Sequence, residues 1–246
     1  MSWTESSSPH FEARHEDADA RGALAVLELL ETTRASLART FPRIPDEVTV
    51  VMHRSPLALS LAAPLMPLAW LACRRGSRRY LAGWCSLRTL YLLAPGPLEA
   101  RASAVPESRD MLMLTPATLY AQLVMAANNR RLPPPLRPRH VRWAWLVWGA
   151  AAHFSGQTTF ARPAIARRLR EQPAPRFPPA IGDAALLGGT VFDLLERERG
   201  SGAAISLAYT RPEGSAARVL ERAFEGRSLI HTQGLWRAHL AHLAAP

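Results

Sequence analysis

Three tryptophans within six residues, Trp143, Trp145 and Trp148, sit in a stretch that is apolar on every side of a helix. A helix from Arg142 to Phe154, with Leu146, Val147 and a run of alanines filling it in, has no polar face to turn to water. Such a helix belongs in the middle of a fold. It is too short to cross a bilayer, which takes roughly 20 apolar residues. The rest of the chain has to be arranged around it.

Its partner comes just before it. Thr115 is placed to cap a helix and Pro116 suits the first helical position, where no intrahelical N–H bond is needed. Leu119, Leu123 and Ala127 recur at four-residue spacing and give this helix an apolar face. Asn128-Asn129 and the run Pro133-Pro134-Pro135 end it. Residues 111–160 thus read as two largely buried helices joined by an arginine-laden connector.

The outer parts of the chain are more polar and read as the cover. Residues 1–18 are polar, acidic in their second half and without an apolar core, and are expected to form a disordered tail without a secretory signal. Ala23, Val26, Leu27, Leu30, Ala35 and Leu37 mark an amphipathic helix over residues 19–39. Val48 to Met52 is a short β-branched run, and Tyr80–Trp84 and Thr89–Leu93 read as two further strands around the turn Ser86-Leu87-Arg88. The apolar segment Ser55–Cys73 approaches the length of a membrane span. Pro56, Pro64 and Pro67 would each break a single helix there, so a short helix with a buried loop is expected instead. Short helices follow over 162–171, from Gly182-Asp183 to Arg199, from a Ser215 cap to Phe224, and over 232–243, where Leu235, Trp236 and Leu240 point inward.

With 246 residues and 48% hydrophobic content, the chain can bury a sizeable core. The expected architecture is α+β and mainly helical: a helix plus small sheet over 19–100, the helix pair over 111–160, and C-terminal helices over 182–246, all in one domain. Cys73 and Cys85 have no metal spacing and point to buried thiols in a reducing compartment, hence a cytoplasmic protein.

The second helix, Trp145-Leu146-Val147-Trp148-Gly149-Ala150-Ala151-Ala152-His153-Phe154, resembles the W-L-x-E-G-x-A-x-[YH]-F helix of gluzincin (peptidase MA-like) zinc metallopeptidases. Arg39 to His53 is similar to the family's entry helix end and first strand, and Leu81 to Leu93 to its next strands. Gly188-Gly189 to Gly200 resembles its G-G-x-x-x-x-x-L helix, and Leu220 to Leu240 its closing segment. The resemblance implies a fold with a small N-terminal sheet followed by a helical bundle. It also implies an upstream HExxH helix supplying two histidine ligands and a glutamate base, with a third ligand, a glutamate, on the second helix.

The departures decide the expected function. Between Met111 and Arg139 there is no His, Glu, Asp or Cys, so no HExxH can be placed there. In the preferred register Thr118, Leu119 and Gln122 stand where His, Glu and His would be, and Trp148 stands at the third ligand. Zinc takes imidazole, thiolate or carboxylate ligands, and none of these four side chains offers one. The former site is therefore expected to be plugged by apolar side chains, with no metal, no cofactor and no metal-dependent hydrolysis.

His153 lies just over one turn past the lost ligand. A core histidine bonded within the fold is the favoured reading, over a catalytic base or a triad with Ser155 and Asp183. His231, His239 and His242 read as a surface helix rather than a metal cluster. All 30 basic residues are arginine against 20 acidic ones, for a net charge of +10. Arg130, Arg131, Arg137, Arg139 and Arg142 in the connector, with Arg167 and Arg168 beyond it, are candidates to grip an anion, since guanidinium holds phosphate or carboxylate bidentately. A solvated face set by GC-rich codon usage is the plainer account.

Two functions follow from the sequence. The preferred one is a pseudoenzyme that binds a protein or peptide or serves as a structural unit. The alternative is a basic module binding nucleic acid or an anionic surface through its arginines, although no nucleic-acid-binding motif supports it. No membrane span is expected in either.

Overall fold

The computed structural model describes residues 2–104, 107–132 and 138–245, with backbone alone for 138–140. It is an α+β fold: one five-stranded sheet near the N-terminus, then helices.

The first correction comes at the start of the chain. Residues expected as a disordered tail form β1 (Trp3–Ser7) and β2 (Phe11–Glu16), paired antiparallel. Period-two burial of Phe11, Ala13 and His15 makes β2 a strand with one face inward. The tight turn is tied to α1 (Ala20–Ala38) by Glu31, whose carboxylate accepts from the Ser8 hydroxyl at 2.7 Å and the His10 amide at 2.9 Å, with His10 Nδ1 at 2.8 Å. Helix α1 buries the expected Ala23, Val26, Leu27, Leu30 and Leu37.

β3 (Val48–His53) lies parallel between β2 and β5 (Thr89–Leu93), and β4 (Gly83–Ser86) pairs antiparallel with β5, so the order is β1-β2-β3-β5-β4. The hairpin turns at Leu87, whose φ of 49° is left-handed. The apolar segment after β3 forms two short helices, α2 (Pro56–Ala62) and α3 (Met66–Ala72), separated at Pro64. Ser55 caps the first by accepting from the Ala58 amide at 3.1 Å. Among the described residues no helix is long and apolar enough to cross a membrane.

After α4 (Pro95–Glu99) and α5 (Ser108–Met113) come the two central helices, α6 (Thr115–Asn128) and α7 (Pro138–Phe154). Trp143 and Trp145 are buried, as an all-round apolar helix requires. Thr115 does not cap α6. It is the first helical residue, and its buried hydroxyl has no partner.

Helices α8 (Arg162–Arg170) and α9 (Ile181–Arg199) follow, then α10 (Ser201–Ala208), α11 (Ala216–Ala223) and α12 (Leu229–Leu243). Ser215 caps α11 as expected, whereas α10 falls where no helix is read from the sequence. Helices α7 and α9 meet backbone to backbone. A Cβ on Gly149 would lie 2.5 Å from the Gly188 carbonyl, and one on Gly188 would lie 2.8 Å from the Trp145 carbonyl oxygen. Only glycine permits this crossing, and it locks the core of the helical part.

Candidate functional site

Sheet and helices leave an open cavity of about 850 Å³ between them. Its floor is Leu119, Gln122 and Leu123 of α6, one wall is β4 from Gly83 to Ser86, and the end is closed by Val147 and Trp148 of α7. Arg43, Leu65, Leu87 and Arg88 stand at the mouth. Leu119, Gln122 and Trp148, singled out by the sequence resemblance, thus come together around one space. Thr118 joins the same three in a small adjoining pocket of about 30 Å³. The four positions share only that small space, while Leu119, Gln122 and Trp148 also border the larger open cavity beside it.

The polar groups facing this space bond to one another. The Cys85 thiol donates to Gln122 Oε1 at 3.4 Å. Thr118 Oγ1 donates to the Leu114 carbonyl at 3.0 Å and lies 2.9 Å from Ser155 Oγ. Burial pushes the Cys85 thiol up to about 12, against a small opposing effect of a backbone hydrogen bond. The donors here are an amide, a hydroxyl and a protonated thiol, a poor set for zinc. Among the described residues, no group of three or more His, Cys, Asp or Glu side chains is placed to hold a metal ion.

β4 is the edge of the sheet, and its register decides which way its main chain faces. Ser86 pairs with Thr89 across a two-residue turn, Trp84 with Tyr91, and the Leu93 amide reaches the Ala82 carbonyl at 3.4 Å. In an antiparallel ladder, bonded and non-bonded pairs alternate. Trp84 and Ser86 therefore spend their amides and carbonyls on β5, while Gly83 and Cys85 direct theirs away from it, to the open edge. Gly83 also lets the strand lie close over α6. A Cβ there would be 2.5 Å from Leu119 Cδ1 and 2.8 Å from the Tyr91 carbonyl oxygen.

His153 is not in this cavity. It stacks on Phe192, with ring centroids 5.9 Å apart, and its Nε2 lies 3.1 Å from Glu196 Oε2. Burial holds its pKa below the ordinary value, against the pull of Glu196 and Asp193. His239, expected on a surface helix, is instead buried, with Nε2 2.8 Å from Asp193 Oδ2. Helix α9 therefore carries two carboxylates that each hold one histidine. That hydrogen bond from His239 is the chief reason the Asp193 carboxyl sits below its usual range. No triad forms: Ser155 bonds to Thr118 and the Ala152 carbonyl, and Asp183 is taken by arginine.

That arginine is Arg168, and its assignment as an anion-binding residue is corrected. It is 2% exposed and clamps Asp183 bidentately at 2.6 and 2.8 Å, while also donating to the Glu171 and Pro173 carbonyls. Arg74 adds a 3.5 Å contact to the same carboxylate. With four of its five N–H donors used and almost no exposed surface, this guanidinium is out of reach of an external anion. Arg130, Arg131 and Arg142 are exposed, and exposed Arg167 lies 3.7 Å from Glu171. Arg137 and the side chain of Arg139 lie outside the described residues.

The residues that sequence reasoning missed are those of the edge: Gly83, Cys85, Arg43 and Leu87. The hairpin was readable from its alternation and short turn, but its place at the edge of the sheet depends on the strand order. No known protein family, curated protein or solved structure matches this chain.

Proposed function

We propose that this protein is a metallopeptidase-like pseudoenzyme, resembling the gluzincins, that binds an extended peptide in the groove between β4 and α6. The reading rests on one observation: an unpaired strand edge stands over an open apolar cavity. Peptide strands add to such edges through main-chain hydrogen bonds, while alternate side chains enter pockets. Gly83 and Cys85 supply the main-chain groups. Leu119, Leu123, Val147 and Trp148 supply the apolar floor. Arg43, which also lines the cavity, favours an acidic residue at the end of the bound segment, whereas Arg88 already faces Glu47 at 3.4 Å.

Hydrolysis is not part of the proposal. Thr118, Leu119, Gln122 and Trp148 offer neither metal ligands nor a general base, and the Cys85 thiol is far from ionised near neutral pH. The burial of Arg168 within the fold also leaves the nucleic-acid alternative with fewer arginines than the sequence suggested.

A displayed library of linear peptides, selected on the full-length chain, tests the reading. Binders with apolar residues at alternate positions are expected, and Ala126→Trp, which fills the groove from the exposed face of α6, should abolish their binding measured by fluorescence anisotropy. Binders that ignore Ala126→Trp, or none at all, would overturn it.

A further inference from the structure

Helices α2 and α3 bury one apolar face and expose another. Leu59, Ala63, Met66, Ala69 and Cys73 face the core. Leu57, Leu61, Leu68 and Leu71 face outward, at 71%, 76%, 54% and 72% exposure, with Leu65 at 41% between them. A helix packed on a core ordinarily turns polar residues to water. Here the outer face is leucine on both helices, and contiguous apolar surface of this kind marks an interaction site.

The charges around it say what it meets. From residue 48 to residue 98 there is not one Asp or Glu, but there are six arginines: Arg54, Arg74, Arg75, Arg78, Arg79 and Arg88. The leucine face itself, Ser55 to Cys73, carries no charge, and Arg54 and Arg74-Arg75 bracket it; Arg54 stands 3.6 and 3.5 Å from Glu16 and Asp19 and Arg74 3.5 Å from Asp183, while Arg75 is exposed. Its hydroxyls are satisfied within the helix, Ser60 donating to the Pro56 carbonyl at 2.7 Å. An uncharged leucine ridge with the exposed Arg75 at its end suits a monotopic segment, with apolar side chains at acyl depth and the guanidinium at the level of the phosphates.

We propose that this chain docks on an anionic phospholipid bilayer through the α2–α3 leucine face, lying on the surface without spanning it. A lipid surface is favoured over a protein partner by the side chains themselves. Protein hot spots draw on Trp, Tyr and Arg in shaped pockets and make little use of Leu, whereas fluid acyl chains ask only for apolar bulk. Docking also sets the mouth of the cavity toward the headgroups, because Leu65 belongs to both the leucine face and the cavity rim. The inference stands on different residues from the peptide groove and does not require it.

Co-sedimentation of the full chain with vesicles tests it, using phosphatidylcholine alone and phosphatidylcholine mixed with phosphatidylglycerol. The chain should pellet with the mixed vesicles and far less with the neutral ones. Leu57→Glu/Leu71→Glu, outward substitutions expected to leave the circular dichroism spectrum and melting unchanged, should lower partitioning more than about tenfold. Arg75→Gln should lower it by a smaller factor, and Ala126→Trp should not change it, which separates this proposal from the peptide groove. Failure to pellet with anionic vesicles would overturn it, as would equal pelleting of the leucine variant. So would a dimer in solution that Leu57→Glu/Leu71→Glu disperses while vesicles are ignored, since the face would then serve a second copy.

Discussion

The two sides of the α6–α7 pair differ in a way that bears on function. On the side facing the sheet there is space but little reactive chemistry: a cavity floored by Leu119, Gln122 and Leu123 and ended by Trp148. On the side facing α9 there is chemistry but no room. His153 is packed against Phe154 and Phe192, His239 is buried on α12, and each is held by a carboxylate of α9. Catalysis needs titratable groups and a bound substrate within hydrogen-bond reach of each other. Here neither histidine lines the cavity, so the accessible side suits binding and the titratable side suits stability.

Both sides hang on the same crossing, and breaking it should have a large effect. Gly149→Val puts side-chain atoms where the Gly188 backbone already lies. The two helices must separate or one must distort, at a cost of about 3 kcal/mol, the upper end for overpacking because the clash is with backbone. The urea midpoint should fall sharply. A midpoint near that of the parent would mean that α7 and α9 do not cross as closely as described.

Two tryptophans sharpen the contrast between the sides. Trp236 is fully buried against Phe177, and its indole N–H donates to Thr190 Oγ1 at 2.8 Å, so Trp236→Ala should cost about 3–5 kcal/mol. Trp148 is nearly as buried, at 5% exposure, but borders a cavity, so Trp148→Ala should cost about 3 kcal/mol, the lower end of that range, and enlarge the groove. If Trp148→Ala proved as damaging as Trp236→Ala, the cavity side would be part of the load-carrying core and not a vacant groove.

The titratable side should also be the acid-sensitive one. Burial lowers the His153 pKa on this side, and burial likewise lowers that of His53, which lies apart from it in β3 of the sheet. The unfolded chain takes up protons at the ordinary histidine value of about 6.5, while the folded chain resists until lower pH. The stability these groups contribute is therefore complete above that value and drains away as pH falls from it toward their folded values. Asp193, depressed mainly by its bond from His239, adds a second loss below the ordinary carboxylate value of about 3.9. His153→Gln should flatten the first part of a plot of urea midpoint against pH. An unchanged slope would place the acid sensitivity elsewhere.

The same division explains what could be read from the sequence. The centre was legible because Trp143, Trp145 and Trp148 leave an α7 helix no polar face, and the strands at Val48 and Thr89 were legible from β-branching and alternation. Strands β1 and β2 were not, because Phe11 and Ala13 are thinly spread among charges and the strands are fixed by a distant Glu31. Arg168 looked like surface charge because its partner Asp183 is on another helix. The His239 ring looked exposed for the same reason, its partner Asp193 being 46 residues away. Thr118, Leu119, Gln122 and Trp148 could be placed near one another, but the open edge of β4 beside them follows from strand order, which local patterns do not carry.

The two thiols supply the smallest and most local test. Cys85 lines the cavity, while Cys73 is buried at the end of α3. Burial raises both, to about 12 and about 11, so neither is much ionised near neutral pH, and the thiolate is the reacting form. Iodoacetamide should therefore modify Cys85 slowly in the folded chain and Cys73 only as the chain unfolds, a difference that peptide mass spectrometry can follow over time. Trp148→Ala should speed Cys85 a few-fold by widening the groove, and a peptide lying along β4 should slow it, since such a strand would pair with the outward amide and carbonyl of Cys85 itself. Equal rates for the two thiols in the folded chain would remove the distinction between an open side and a closed one.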